Sequence, residues 1–347
     1  MKKIAQLAVV MVLITGCKKD EEAETIPKSY LNGAFVSNEG SFGGNNGGIT
    51  HISTSGEVTN DVYLSANGVE LGDVLQSFTI IGNRGYAVVN NSQKVEVMDL
   101  SNMKRVASIT GLSYPRHLQR IDDQTVYLTN GNFAGEVVVI DLSTNTVSGN
   151  IPVGNGPEKM TRTGDKIFVC NSGGWMDDNT ISIIDITSET VVETITVGDV
   201  PIDAVKDQTG DVWVLCRGKV VYDESWNVIG DTDAMLYRID GTTNDIESSM
   251  TVGTNGDHPS HLEINPAGNI VYIENSGIFS MSIDGTSLTN LVTGSFNSLN
   301  VHPLSGDIWC TEIPNFVTPS VVYKYSSSGS LLDSYSTGLG ANGVSFN

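Results

Sequence analysis

Histidine, carboxylate and amide side chains recur in short triplets along the chain, and they are its first candidates for chemistry. The triplets are Pro115-Arg116-His117, Pro157-Glu158-Lys159, Pro201-Ile202-Asp203, Pro259-Ser260-His261, Phe296-Asn297-Ser298 and Ala341-Asn342-Gly343. Two imidazoles and a carboxylate, from His117, His261 and Asp203, are the donor types of a metal site. Each histidine is isolated in sequence, which favours a solvated or structural role. We therefore predict no resident metal.

Motifs that would indicate catalysis do not occur in the chain. G-x-S-x-G, H-E-x-x-H and EF-hand spacings are all missing. The segments Asp177-Asp178-Asn179 and Asp231-Thr232-Asp233 have oxygen donors for weak Ca²⁺ binding, but they lack the periodic ligand string of an EF-hand. The residues therefore predict a protein that is not an enzyme.

The elements that must position these residues repeat along the chain. From Gln124 to Pro157, three β-rich runs are separated by Gly, Asn and Ser clusters, which is typical of short antiparallel strands. An Asp follows an apolar run at Asp99, Asp141, Asp185, Asp240 and Asp284, at spacings of 42, 44, 55 and 44 residues. A period of roughly 40 to 45 residues with four strands per repeat is typical of a β-propeller blade.

Strand signals divide the chain into six complete blades and one split blade. The complete blades are residues 74–109, 117–151, 159–196, 203–251, 261–292 and 298–336. Three N-terminal strands (33–38, 48–53 and 57–64) and one C-terminal strand (343–346) remain. Placing the last strand innermost in the first blade leaves no sheet edge open. The sequence therefore predicts an all-β, seven-bladed β-propeller, with four antiparallel strands per blade and a 1+3 closure.

The repeats resemble those of YVTN-type propellers. Val-Tyr-Leu-Thr-Asn at 126–130, Val-Ile-Asp-Leu-Ser-Thr-Asn at 139–145 and Ile-Pro-Val-Gly-Asn-Gly-Pro at 151–157 carry the resemblance. It is strong over residues 117–201 and looser elsewhere.

The predicted topology brings the loops between the second and third strands to one end of the channel, where they form a rim. Five of these loops contain an aromatic residue: Phe42, Phe133, Trp175, Trp226 (with Tyr222) and Phe316. Aromatic side chains in Gly/Asn-rich loops give rigid apolar contact area for a ligand. Covering gaps between blades is the alternative role.

The triplets begin the innermost strands and therefore form a polar ring beneath that rim. We predict that Glu39, Arg116, His117, Glu158, Asp203, His261, Asn297 and Asn342 bind a ligand together with the rim aromatics. Polar groups surrounded by aromatic ones match the usual anatomy of a small-molecule site. A water-filled channel lined by solvated side chains is the alternative.

The N-terminal residues have the pattern of a secreted lipoprotein. Lys2 and Lys3 precede an apolar run too short to span a bilayer, which predicts a signal peptide at 1–16. Ile14-Thr15-Gly16-Cys17 resembles a bacterial lipobox, which implies lipidation of Cys17. Residues 17–30 form the predicted tether, and 31–347 the propeller. Lys18-Lys19-Asp20-Glu21-Glu22 looks like a surface-export signal of Bacteroidetes lipoproteins, and a solvated charged tether is the alternative.

Charge and cysteine content exclude other classes. A formal charge of −21 repels polyphosphate, so we predict no nucleic-acid partner. Cys170, Cys216 and Cys310 fall in second strands of different blades without C-x-x-C spacing, so we predict buried free thiols. Trp213 and Trp309 lie in predicted strands and should be structural.

The first predicted blade adds a further resemblance. Its segment Asn-Glu-Gly-Ser-Phe-Gly-Gly-Asn-Asn-Gly-Gly-Ile at 38–49, with the lipobox and the tether, is similar to cobalamin-binding surface propellers of Bacteroidetes that cap TonB-dependent transporters. The resemblance implies a lipid-anchored protein on the outside of the outer membrane that passes a corrinoid to the transporter. It implies no other cofactor.

Two other functions stay open, because the fold alone does not decide function. A lactonase-like hydrolase would need a channel metal, for which Glu39, Glu158, Asp203, Asn297 and Asn342 are the candidate ligands. A protein-interaction scaffold would have no small-molecule site.

Overall fold

A computed structural model of the chain describes residues 30–131, 134–254 and 256–347. The predicted signal peptide, Cys17 and nearly all of the predicted tether lie outside these ranges, as does Phe133. The described helical residues include no segment long and apolar enough to cross a bilayer.

Thirty strands and one short helix follow one another along the described residues. The first part of the chain forms β1 (Ala34–Asn38), β2 (Gly48–Ile52), β3 (Val58–Thr59) and α1 (Val62–Asn67). Next come β4 (Leu75–Ile81), β5 (Arg84–Val89), β6 (Lys94–Asp99), β7 (Arg105–Ile109), β8 (Pro115–Arg120), β9 (Thr125–Asn130), β10 (Glu136–Asp141) and β11 (Thr146–Pro152).

The middle and last parts of the chain continue the pattern. The strands are β12 (Pro157–Thr163), β13 (Lys166–Asn171), β14 (Thr180–Asp185), β15 (Thr190–Thr196), β16 (Pro201–Lys206), β17 (Val212–Cys216), β18 (Val220–Tyr222), β19 (Val228–Asp231), β20 (Ala234–Ile239) and β21 (Ile246–Gly253). They end with β22 (His261–Ile264), β23 (Ile270–Glu274), β24 (Gly277–Ser282), β25 (Thr289–Thr293), β26 (Ser298–Val301), β27 (Ile308–Glu312), β28 (Val321–Tyr325), β29 (Leu331–Ser336) and β30 (Ala341–Phe346).

Seven four-stranded antiparallel sheets form the blades in the described part of the chain. Blade 1 has the order β3-β2-β1-β30, so the last strand pairs with the first one from Ala34 opposite Phe346 to Asn38 opposite Ala341. Blades 2 to 7 follow in chain order, each with its first strand innermost. The predicted seven blades and the 1+3 closure are confirmed.

Apolar side chains fill the spaces between neighbouring blades. One cluster joins Tyr86 and Val97 of blade 2 to Val126 and Ile140 of blade 3, and similar clusters recur around the ring. The second strand of a blade is covered on both faces, which explains its nearly continuous apolar sequence. The three cysteines on β13, β17 and β27 are buried free thiols, as predicted.

Two segments differ from the predictions. The third strand, predicted at 57–64, ends at Thr59 and is followed by α1, because Val62 and Tyr63 turn into the core of blade 1. The segment that carries Tyr222 and Trp226, predicted to be a loop, contains the two-stranded hairpin of β18 and β19. Both segments form elements that are too short to show a periodic pattern of apolar residues in the sequence.

Candidate functional site

A cavity of about 580 Å³ occupies the channel where the innermost strands begin. Its lining includes the eight polar residues predicted for the mouth of the channel: Glu39, Arg116, His117, Glu158, Asp203, His261, Asn297 and Asn342. This volume falls within the range of roughly 300 to 1,000 Å³ that is usual for small-molecule sites. The polar residues that the sequence places at the channel mouth therefore line a concave surface in the structure.

Bulges at the starts of the innermost strands bring successive residues to the channel. Between Pro115 and Leu118, two residues of β8 oppose one residue of β9, and β12 has the same bulge between Pro157 and Met160. A bulge leaves one residue without a ladder partner and re-aims its side chain. Both Arg116 and His117 consequently reach the channel.

Arg116 and Glu158 form the central ion pair of the mouth. Arg116 Nε and Nη2 donate to the two carboxylate oxygens of Glu158 at 3.0 and 2.8 Å, and Nη1 donates to Gln76 Oε1 at 2.7 Å. His117 Nε2 lies 3.6 Å from Glu158 Oε2. Burial alone would raise the pKa of Glu158, but the charge of Arg116 and the contact with His117 hold it at about 2. Burial lowers the pKa of His117.

Lys159 and Asp203 form a second ion pair one blade further round. Lys159 Nζ lies 2.6 Å from Asp203 Oδ2, which also accepts from the backbone N–H of Leu262 at 3.0 Å. Although burial opposes its charge, the carboxylates of Asp203 and Glu263 raise the pKa of Lys159. Burial raises the pKa of Glu263 to about 7, against the opposing effect of Lys159.

The suggested metal donors do not converge. His261 Nε2 lies 3.0 Å from the carbonyl oxygen of Asn297, while Asp203 is held by Lys159 and His117 is near Glu158. Within residues 30–131, 134–254 and 256–347, no group of three His, Cys, Asp or Glu side chains is arranged to hold a metal. Two of the three carboxylates of the lactonase-type set, Glu158 and Asp203, are likewise engaged, since each pairs with a cation. These residues do not fit a metal.

The rim residues that the structure describes lie outside the cavity and are exposed. Phe42, Trp175 and Trp226 have 83%, 74% and 82% of their surface accessible, and Phe316 has 46%. Each lies between the second and third strands of its blade, at the same end as the polar mouth. Gap filling between blades is thus ruled out for the first three, because a gap-filling side chain would be buried.

The hairpin that carries Trp226 is fixed to the blades on either side. Lys219, at its base, lies 3.3 Å from the carboxylates of both Asp177, in a loop of blade 4, and Asp199, in the connection from blade 4 to blade 5. On the other side, His258 Nε2 lies 3.3 Å from Asp231 Oδ2. The hairpin is therefore held on two sides and presents its aromatic tip from a defined base.

The turn at the hairpin tip has an unusual residue in its fourth position. In the turn from Asp207 to Asp211, the fourth residue is Gly210 with φ of 96°, and its N–H donates to Asp207. The turn from Asp223 to Asn227 has the same backbone and side-chain hydrogen bonds, but its fourth residue is Trp226 with φ of 63°. Glycine is favoured at this left-handed position. An exposed Trp there opposes the local backbone preference, which indicates a role outside folding.

Several further residues of the lining were not among the predicted site residues. They include Gln76, Lys159, Arg217 and Glu263. Lys159 belongs to the triplet Pro157-Glu158-Lys159. The sequence gives no sign of the bulge that turns two successive residues of this triplet toward the channel. Arg217 directly follows β17, and only an alignment of the blades by their second strands reveals that position.

A seven-bladed propeller with a polar channel mouth and an exposed aromatic rim is thus the class that the fold and the site define. The chain belongs to the family described as "Domain of unknown function (DUF5074)", which matches residues 32–318. No curated protein matches it in sequence.

Several solved structures share the fold. A quinonprotein alcohol dehydrogenase-like protein from Bacteroides thetaiotaomicron has a TM-score of 0.67 at 14% identity, over 91% of this chain and 78% of that one. A proposed 6-phosphogluconolactonase from Bacteroides fragilis has 0.67 at 12%, over 93% and 100%. The periplasmic gluconolactonase PpgL of Pseudomonas aeruginosa has 0.63 at 10%, over 90% and 99%. At these identities the likeness shows the propeller fold alone.

Proposed function

We propose that this protein captures a small organic ligand at the rim-bearing end of the channel without transforming it. The observation that carries the proposal is the coincidence of exposed aromatics and a polar cavity at one end of the propeller. Exposed aromatic groups held on an ordered frame lose little conformational entropy on binding. The ion pairs of the mouth supply fixed polar partners that orient a ligand.

The ligand that we propose is a corrinoid such as cobalamin. The rim offers separated aromatic surfaces on several blades, which suits a wide macrocycle better than a compact metabolite. A macrocycle would lie across the rim, with only a polar substituent entering the cavity of about 580 Å³. The lipobox at Cys17 supports an anchored location on the outside of the outer membrane, and hand-over to a TonB-dependent transporter is the corresponding partner proposal.

Calorimetric titration with cobalamin and with a metal-free corrinoid precursor tests this function. We expect saturable binding that weakens about tenfold or more in Trp226→Ala and Trp175→Ala, the loss typical of a central aromatic contact. Leu304→Ala is the control, because Leu304 is 89% exposed in the turn between β26 and β27 at the opposite end. It should leave binding unchanged.

Titrations without heat at high concentration, supported by a second binding assay, would overturn the corrinoid proposal. Equal weakening by the control would show that binding does not involve the rim. Hydrolysis of a lactone by the wild-type protein, lost in Glu158→Gln, would support the hydrolase alternative instead. A scaffold would bind neither corrinoid nor lactone.

A further inference from the structure

Arg217 differs from the residues at equivalent positions in other blades. In five blades the residue that follows the second strand donates its backbone N–H to a carbonyl in the loop before the innermost strand, at 2.7 to 3.0 Å. These residues are Glu39, Asn90, Gly131, Ser172 and Arg217. Arg217 is the one cation among the five, and it lines the channel cavity.

The backbone of Arg217 is well bound, but its guanidinium is not. Its N–H donates to the Val200 carbonyl at 3.0 Å, and its carbonyl oxygen lies 2.8 Å from His258 Nδ1. Among the described residues, no hydrogen bond or ion pair engages the guanidinium, whereas Arg116 makes three side-chain hydrogen bonds. A guanidinium has five N–H donors in a fixed plane, so an unpartnered one in a cavity is available to a ligand.

Lys159 adds a second set of free donors nearby. Its ammonium has three N–H groups, and Asp203 is its one hydrogen-bond partner among the described residues. Burial, and then the charges of Lys159 and Arg217 among others, lower the pKa of His261 to about 3. The imidazole therefore stays neutral.

Among the described residues, Arg217 takes no part in the ion pairs that line the channel. Glu158 neutralises Arg116 and Asp203 neutralises Lys159, whereas no carboxylate pairs with Arg217 in the described structure. The carboxylates of Glu39 and Glu263 also line the cavity, so the channel as a whole is not positively charged. It is the unpaired guanidinium of Arg217 that favours negative charge on a ligand.

From this geometry we propose that Arg217 and Lys159 form a subsite for an anionic oxygen group, either a carboxylate or a phosphate. The inference rests on the proposed ligand-binding role of the cavity and adds the chemistry of the group that enters it. Arg217 would bind the group through two parallel N–H donors, and Lys159 would add charge from the adjoining blade.

Titration of the purified protein with inorganic phosphate and, separately, with malonate tests the subsite at constant ionic strength. We expect saturable binding of at least one probe, and the tighter one identifies the preferred group. Arg217→Gln should weaken it about tenfold, the loss expected for one charge-assisted hydrogen bond. Lys206→Gln is the matched control, because it removes the same charge from the exposed end of β16, at the far end of the channel.

A variant that should bind the probe more tightly is a useful second test, because misfolding would not produce a gain of affinity. Glu263 faces Lys159 from β22 and also interacts with Asp203 and Asn300. Glu263→Gln removes a negative charge beside the subsite, so at about pH 8 it should strengthen binding several-fold.

Equal weakening by Arg217→Gln and Lys206→Gln, or weakening by Glu263→Gln, would overturn the subsite. So would the lack of saturable binding for both probes, even if cobalamin still binds. Conversely, saturable phosphate or malonate binding without cobalamin binding would leave the subsite in place and overturn the corrinoid proposal alone.

Discussion

The four tryptophans of the chain divide between two regions, the second strands of the blades and the loops that follow such strands. Trp213 and Trp309 are 4% and 5% exposed, whereas Trp175 and Trp226 are 74% and 82% exposed. The strand tryptophans have partners: Trp213 Nε1 donates to Asp207 at 2.9 Å, and the Trp309 ring stacks on Tyr335 with centroids 5.7 Å apart. The loop tryptophans gain no comparable burial from the fold. Packing within the propeller therefore explains Trp213 and Trp309. It does not explain Trp175 and Trp226, for which we propose a role in ligand binding.

Trp213→Ala should give the largest loss of stability and so sharpen this contrast. Deleting a buried indole leaves a cavity and costs about 3 to 5 kcal/mol in the free energy of unfolding. It also removes a partner of the buried Asp207 carboxylate and the ring that Arg238 covers at 5.5 Å. Denaturant unfolding measures the effect. Trp213→Phe, which keeps a ring but loses the hydrogen bond, should cost less, and a loss below about 1 kcal/mol for Trp213→Ala would contradict the contrast.

The channel mouth is intermediate in burial between these two regions, because its side chains are partly buried and also face the cavity. Glu158→Gln should lower the free energy of unfolding by about 1 to 3 kcal/mol at neutral pH, since Arg116 would lose its anionic partner. The pKa of Glu158 is lowered from 4.5 to about 2 on folding. Its stabilising contribution is therefore complete above the unfolded-state value and is lost as the pH falls through about 2.

Unfolding of the wild-type protein and of Glu158→Gln between about pH 5 and pH 2 tests the direction of this pH dependence. The difference between wild type and Glu158→Gln should be full above about pH 5 and shrink towards zero near pH 2. Asp123→Asn is the control, because Asp123 pairs with Arg120 on the surface and is 89% exposed. It should change stability little at any pH. A pH-independent cost of Glu158→Gln would show that the ion pair is not its cause.

The sequence predicted the blades and their closure better than the contacts within the site. Strands covered on both faces have apolar runs, and the recurring triplets mark where innermost strands begin, so blade number, closure and the channel lining could be inferred. The ion pair of Lys159 with Asp203 could not, because it depends on a bulge that turns two successive residues to the channel. The hairpin of β18 and β19 was missed because strands of three and four residues show no clear alternation.

Trp226→Gly should have the smallest effect on stability and the most informative sign. Trp226 occupies a left-handed position that Gly210 occupies in the matching turn. Relief of that conformation should stabilise the protein by up to about 1 kcal/mol, while ligand binding at the rim weakens. Thermal unfolding and titration of the same variant measure the two effects.

Gly210→Ala is the reciprocal control, because it adds a side chain at φ of 96° and should destabilise by about 1 kcal/mol without affecting the rim. If Trp226→Gly instead destabilised the protein as Trp213→Ala does, the exposed tryptophan would be a packing residue. The contrast between strand and rim would then fail. A gain in stability with a loss of binding would mean that the chain keeps an unfavourable backbone conformation at the rim because the ligand requires the indole.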